Sequence, residues 1–226
     1  SPDFLKFALL SSFVYSFAFW LYVKSLSEGE ASLVSPLYNF NVFFLLLLTV
    51  IFLHETFTPF KLIGLVLLVY GASFLNRQKN ILASLRALFT DKACLYMIGA
   101  SCLLAVGRTI DGFVVQSIAP LVYSFAIYFF ISAFLFLYLI QRKSLGKTLQ
   151  LLRSKTKTAV ASGAVNAYSY LLLLFAFQGM EVSIAEPASM LGVVVTVLLA
   201  GRIFKENIKE RLVGVLIMLA GAWLIF

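Results

Sequence analysis

Long apolar tracts alternate with short polar connectors along the whole chain, and this pattern predicts an all-α, polytopic membrane bundle. Eight tracts are predicted to span: Phe4 to Val23, Ala31 to Leu53, Phe60 to Leu75, Ala93 to Val115, Leu121 to Ile140, Thr158 to Phe177, Ser183 to Ile203 and Arg211 to Phe226. Crossing a hydrocarbon core about 30 Å thick takes about 20 mostly apolar residues at 1.5 Å of rise each. The third and eighth tracts are short, and the fourth is the least apolar because it carries Arg108 and Asp111. Two longer connectors, Asn76 to Lys92 and Gln141 to Lys157, are polar and basic. The first contains ILASLRALF, which predicts a short amphipathic helix at the interface, and it separates two halves, residues 1–76 and 93–226, across a linker at 77–92.

The halves repeat each other. Pro36 stands against Pro187 and Glu55 against Glu206 at one constant separation, and Glu30-Ala31-Ser32 matches Glu181-Val182-Ser183 at the same separation. So do Lys6, Ala8, Ser11 and Val14 against Lys157, Ala159, Ser162 and Val165. Gly64 and Gly71 match Gly214 and Gly221 after a one-residue slip. Apolar segments resemble one another by composition, but composition does not place the rarer Pro, Glu and Gly in the same order. Corresponding tracts lie five spans apart, an odd number, so the copies cross the membrane in opposite directions as an inverted repeat.

Composition excludes a soluble domain. Hydrophobic residues make up 62% of the chain and charged residues 12%, with a mean hydropathy of +0.98; a soluble domain carries about 25% charge. The net charge of +8 does not point to nucleic acid, because the basic residues sit in connectors, where they act as topology signals. One side collects Lys6 and Lys61. The other collects the rest outside the spans, including Arg142, Lys143, Lys147, Arg153, Lys155 and Lys157, and is assigned to the cytoplasmic face of a cell (inner) membrane. Both chain ends then lie outside. The chain opens at Ser1 without Met and its first tract has no cleavage-like end, which predicts no signal peptide and an incomplete N-terminus.

Cofactor and metal chemistry finds no motif. Cys94 and Cys102 lie about 12 Å apart along one helix and cannot pair. The single histidine, His54, stands at a span end, and neither CxxC nor HExxH occurs. Lys147-Thr148 lacks the glycine loop of a nucleotide-binding site, so direct ATP hydrolysis is not expected. No cluster of His and Cys and no pair of in-membrane aspartates is present to support an intramembrane enzyme.

Polar residues inside apolar tracts supply the candidates for function. Pro36 and Pro187 either kink their helices into a gate or sit harmlessly in a first turn. Glu186 either enters the membrane, to bind a cationic group or exchange a proton, or stays among headgroups. Asn39, Asn41, Asn166, Tyr168 and Tyr170 are expected to point into the bundle, as cavity lining or interhelical hydrogen bonds, and Tyr15 is the repeat counterpart of Asn166. Arg108 and Asp111 share a helix face and can neutralise each other; a substrate or gating role stands beside an arginine that snorkels to the interface. Glu55 and Glu206 are read as structural, hydrated or capping the next helix. Gly64, Gly71, Gly214 and Gly221 are read as close-packing positions two turns apart.

The order Ser183-Ile184-Ala185-Glu186-Pro187, Phe204-Lys205-Glu206, Gly214 and Gly221, with Ala31 to Gly71 as its first-half copy, resembles the EamA-type drug/metabolite transporter superfamily. That resemblance covers nearly the whole chain. It implies ten spans in two inverted five-helix repeats around a central cavity that works by alternating access. Against it, the second half is complete from Ala93 and the first lacks two N-terminal helices. It further implies secondary, ATP-independent transport of a small metabolite such as an amino acid. The bilayer and a small-molecule substrate are then the partners, with a homodimer as one option and no nucleic acid. A non-transporting accessory or assembly subunit is the alternative.

Overall fold

A computed structural model describes residues 3–75, 80–189, 192–206 and 208–224. The elements run α1 (Asp3–Glu28), α2 (Ala31–Val34), a 3-10 segment (Ser35–Asn39), α3 (Phe40–Phe52), α4 (Pro59–Ala72), α5 (Ile81–Thr90), α6 (Lys92–Val114), α7 (Pro120–Gln141), α8 (Leu145–Ser154), α9 (Thr156–Gly179), α10 (Val182–Ser189), α11 (Gly192–Ile203) and α12 (Lys209–Leu224). No strand occurs among the described residues. Among the described residues, five helical stretches are long and apolar enough to cross a membrane: Phe4–Glu28, Ala31–Phe52, Lys92–Val114, Pro120–Gln141 and Thr156–Gly179. Large apolar side chains face outward, Phe125, Val165 and Leu172 among them, while serines, asparagines and carboxylates are buried. This is the polarity a lipid solvent selects, since it has no hydrogen bonds to offer.

Local sequence explains where the helices start. Pro59 occupies the first turn of α4 behind Thr58, whose hydroxyl accepts from the Lys61 amide at 3.3 Å. Asn80 and Asp91 cap α5 and α6 by accepting from the amides of Ala83 (2.7 Å) and Cys94 (2.9 Å). The second predicted span is interrupted at Pro36. Proline has no amide hydrogen to donate, and Ser35–Asn39 tightens into a 3-10 turn between α2 and α3. The Ser101 hydroxyl on α6 reaches the Leu37 carbonyl there at 3.2 Å. Its repeat counterpart, the seventh predicted span, consists of α10 and α11 on either side of residues outside the description. Pro187 falls within the backbone of α10, and its side chain lies outside the described residues.

Several boundaries differ from expectation. α1 continues beyond Val23 to Glu28, and α4 ends at Ala72 rather than Leu75. The connector Gln141 to Lys157 holds a helix, α8, with no buried residue. α5 is more than an interfacial helix, because Leu88 enters the core. α4 and α12 pack backbone to backbone. A Cβ on Gly71 would lie 2.7 Å from the Gly214 carbonyl oxygen, and one on Gly221 would lie 2.6 Å from that of Gly64.

Candidate functional site

Two matching polar clusters tie the halves together. The Glu206 carboxylate accepts from the amides of Ala31 (3.1 Å) and Ser32 (2.8 Å), the open N-terminus of α2. The Glu55 carboxylate accepts from the amides of Val182 (2.8 Å) and Ser183 (3.3 Å), the N-terminus of α10. Each glutamate therefore caps a helix of the other half, correcting the expectation that it stays hydrated or caps the next helix. The residue before each one, His54 and Lys205, has a positive φ of 54° and 56°, a left-handed turn that directs the carboxylate away from its own helix. A cation completes each cluster. Lys61 Nζ lies 3.0 Å from Glu181 and donates to the Ser183 hydroxyl at 3.2 Å. Arg211 pairs with Glu30 and lies 3.6 Å from Glu206.

The electrostatics of these clusters favour ionised carboxylates. Burial opposes charge on Glu206, but the Ser32 hydroxyl, the two amides and Arg211 outweigh it and hold the carboxyl below the usual glutamate range. Glu181 behaves alike: burial opposes ionisation, and Lys61 and Thr56 overcome it. Ala31 opens a 22-residue span that ends at Phe52, and Glu55 lies just past that end, so the clusters sit at opposite ends of the span, about 33 Å of helix apart.

Between them lies a buried charge network built on α6. Asp111 is fully buried and accepts four hydroxyl hydrogen bonds. Ser11 and Tyr123 donate to Oδ1, each at 2.9 Å, and Tyr15 and Tyr170 donate to Oδ2 at 2.5 and 2.9 Å. One turn earlier, Arg108 stands 3.9 Å from Asp111 but only 3.2 Å from Glu186 on α10. The closest carboxylate to Arg108 is thus a long-range one, not its helix neighbour. Arg108 does not snorkel either: its guanidinium lies over the rings of Tyr15 and Tyr170, 5.5 and 5.2 Å from their centroids. Glu186 is fully buried and accepts from the Asn41 amide at 2.8 Å and the Tyr38 hydroxyl at 3.4 Å.

Arg108 opens onto a cavity of about 410 Å³ between α1, the 3-10 segment, α6, α7, α9 and α11. Tyr15, Tyr38, Tyr128, Tyr170 and Asn166 contribute to its wall. The cavity has the volume range of a small-molecule site and the usual build of one, an apolar wall with a few convergent polar groups. Among the described residues, no group of His, Cys, Asp and Glu could hold a metal ion.

A model of the EamA-like transporter family matches residues 1–77 and 91–226. The chain belongs to the EamA-like transporter family. No curated protein matches it significantly. Membership makes it an integral membrane transporter of the drug/metabolite transporter superfamily, and the helical bundle supplies the polytopic architecture that such a transporter needs.

In this EamA-like chain, Tyr15, Asn41, Tyr170, Glu186, Arg108 and Asp111 form one connected network. Asn166 borders the cavity and accepts from the Tyr128 hydroxyl at 2.7 Å. Asn39 is fully buried, and its amide has no hydrogen-bond partner among the described residues. Tyr168 departs from expectation: it is 69% exposed and faces outward, about 200° around α9 from Tyr170. Pro36 shapes the 3-10 turn rather than touching the charges. Sequence reasoning missed Ser11, Tyr38 and Tyr123 as partners of the carboxylates, and Lys61 and Arg211 as counterparts. The one-residue slip that aligns the glycines also aligns Lys61 with Arg211, so that signal was available.

Proposed function

We propose that the protein is a secondary transporter that moves a small polar or amphipathic metabolite by alternating access between two inverted repeats. Residues 1–76 supply three spans of the first repeat and residues 93–226 supply the second, with the long basic connectors on the cytoplasmic side. The observation that carries this reading is the duplicated cluster. The same carboxylate-to-helix contact, with the same kind of cation beside it, occurs at both ends of the bundle with the roles of the halves exchanged. Two equivalent closures at opposite ends, with a cavity between them, are what alternating access requires. If one end opens while the other stays closed, the cavity communicates with one side at a time.

Glu186 is the coupling candidate, because it is a buried carboxylate within reach of Arg108, the one cation among the described residues that line the cavity. Flux of a broad metabolite panel into and out of proteoliposomes holding the protein tests the transporter reading. Absence of substrate-dependent flux in either direction would sink it. An unchanged rate and pH profile in Glu186→Gln would remove Glu186 as the coupling group. Cysteines introduced between Gln141 and Lys157 should resist external labelling in intact cells if the orientation is right.

A further inference from the structure

The cavity wall carries more chemical information than its volume. Arg108 is the one charged side chain among the described residues that line it. Glu186 and Asp111, both fully buried, stand behind the guanidinium, not on the wall. A guanidinium has five N–H donors. Nε lies 3.2 Å from Glu186, Nη1 donates to the Tyr15 hydroxyl at 3.4 Å and Tyr38 also hydrogen-bonds the guanidinium, so these contacts engage part of the donor set of a side chain that lines the cavity. The remaining wall consists mostly of tyrosine rings and of Leu104, Ile127, Ile131 and Leu173.

We infer that this cavity binds an organic monocarboxylate with an aromatic or similarly bulky apolar body, its carboxylate on Arg108 and its body against the tyrosines. The inference rests on the transporter reading and narrows its substrate class. A planar fork of donors matches a carboxylate in shape as well as charge. A phosphate brings a charge of about −1.5 to −2. It would meet no second cation on the described wall to balance the added charge. An ammonium group would find no acid there, and the ring faces of Tyr15 and Tyr170 that would attract it already hold Arg108. An amine-free acid therefore fits better than an amino acid.

Calorimetric titration of the full chain in detergent, with 3-phenylpropionate, its amide, phenylalanine, phenethylamine and phenethyl phosphate as probes, tests this directly. The acid should bind roughly tenfold or more tightly than each of the others, the weight of one charge-assisted hydrogen bond. Arg108→Gln should erase the preference for acid over amide. Because that change removes the cation beside Glu186, the charge-balanced pair Arg108→Gln with Glu186→Gln is measured beside it. Equal affinity for acid and amide, tighter binding of the amine or phosphate, survival of the preference in the paired variant, or no binding at millimolar concentrations would each overturn the inference. Flux of other solutes without acid binding would overturn it and leave the transporter reading standing. Acid binding with no flux of any solute would support it and overturn the transporter reading instead.

Discussion

Removing the Glu206 carboxylate should loosen one end of the bundle by an amount that the structure allows to be worked out. The side chain holds two amides of α2 and the Ser32 hydroxyl and stands 3.6 Å from Arg211, with 11% of its own surface exposed. A hydrogen bond to a charged group contributes about 1.5–3 kcal/mol. Water can replace part of that at a helix N-terminus. Taking the low end for the two amides, Glu206→Ala should cost about 3 kcal/mol. Arg211 is not stranded, since it keeps Glu30. Glu206→Gln retains one acceptor oxygen and turns an amide toward a donor, so about half that loss is expected. For a chain of this size, 1 kcal/mol corresponds to roughly 2–4 °C in Tm. Thermal unfolding of the detergent-solubilised protein should therefore show a fall of about 6–12 °C for the alanine variant.

Acid titration gives an independent reading of the same contact. The folded carboxyl titrates below its unfolded value, so its stabilisation is fully present at neutral pH. It begins to fade as pH falls to the unfolded glutamate value of about 4.3 and is gone once pH has passed through the lower folded value. Glu206→Gln should lack that share of the acid loss. A double-mutant cycle with Arg211→Gln should return a coupling well above the roughly 0.3–0.5 kcal/mol of independent sites. An unchanged Tm in Glu206→Ala, or additivity in the cycle, would refute the clamp.

Three further outcomes follow from the packing. Gly71→Leu or Gly221→Leu should destabilise by at least about 1–3 kcal/mol in the same melt, because the new Cβ meets a carbonyl oxygen, whereas Gly163→Ala, with open space around it, should not. Tyr170→Phe removes a donor from buried Asp111 and should cost about 1.5–3 kcal/mol, while Tyr168→Phe on the exposed face should stay within about 0.5 kcal/mol; paired melts separate them. His54→Gly and Lys205→Gly relieve a left-handed backbone that costs an L-residue about 1–2 kcal/mol, so both should hold or gain stability, and His54→Val should lose it.

Sequence alone determined the solvent and the constant spacing on which the proposed duplication rests. Hydrocarbon offers no hydrogen bonds, so the length and apolarity of a tract already imply a helix that satisfies its own backbone. Constant spacing of Pro36, Glu55 and Glu30 against Pro187, Glu206 and Glu181 requires no coordinates to see. The i,i+3 approach of Arg108 and Asp111 was legible for the same local reason. Partners from other helices were not. That Arg108 lies nearer Glu186 than Asp111, that Glu55 and Glu206 cap helices across the halves, and that Tyr170 turns inward while Tyr168 turns out all depend on which helices become neighbours. An apolar helix with little amphipathic bias carries no mark of which side its neighbours will take, so only tertiary packing chose the faces and with them the charge network and the cavity.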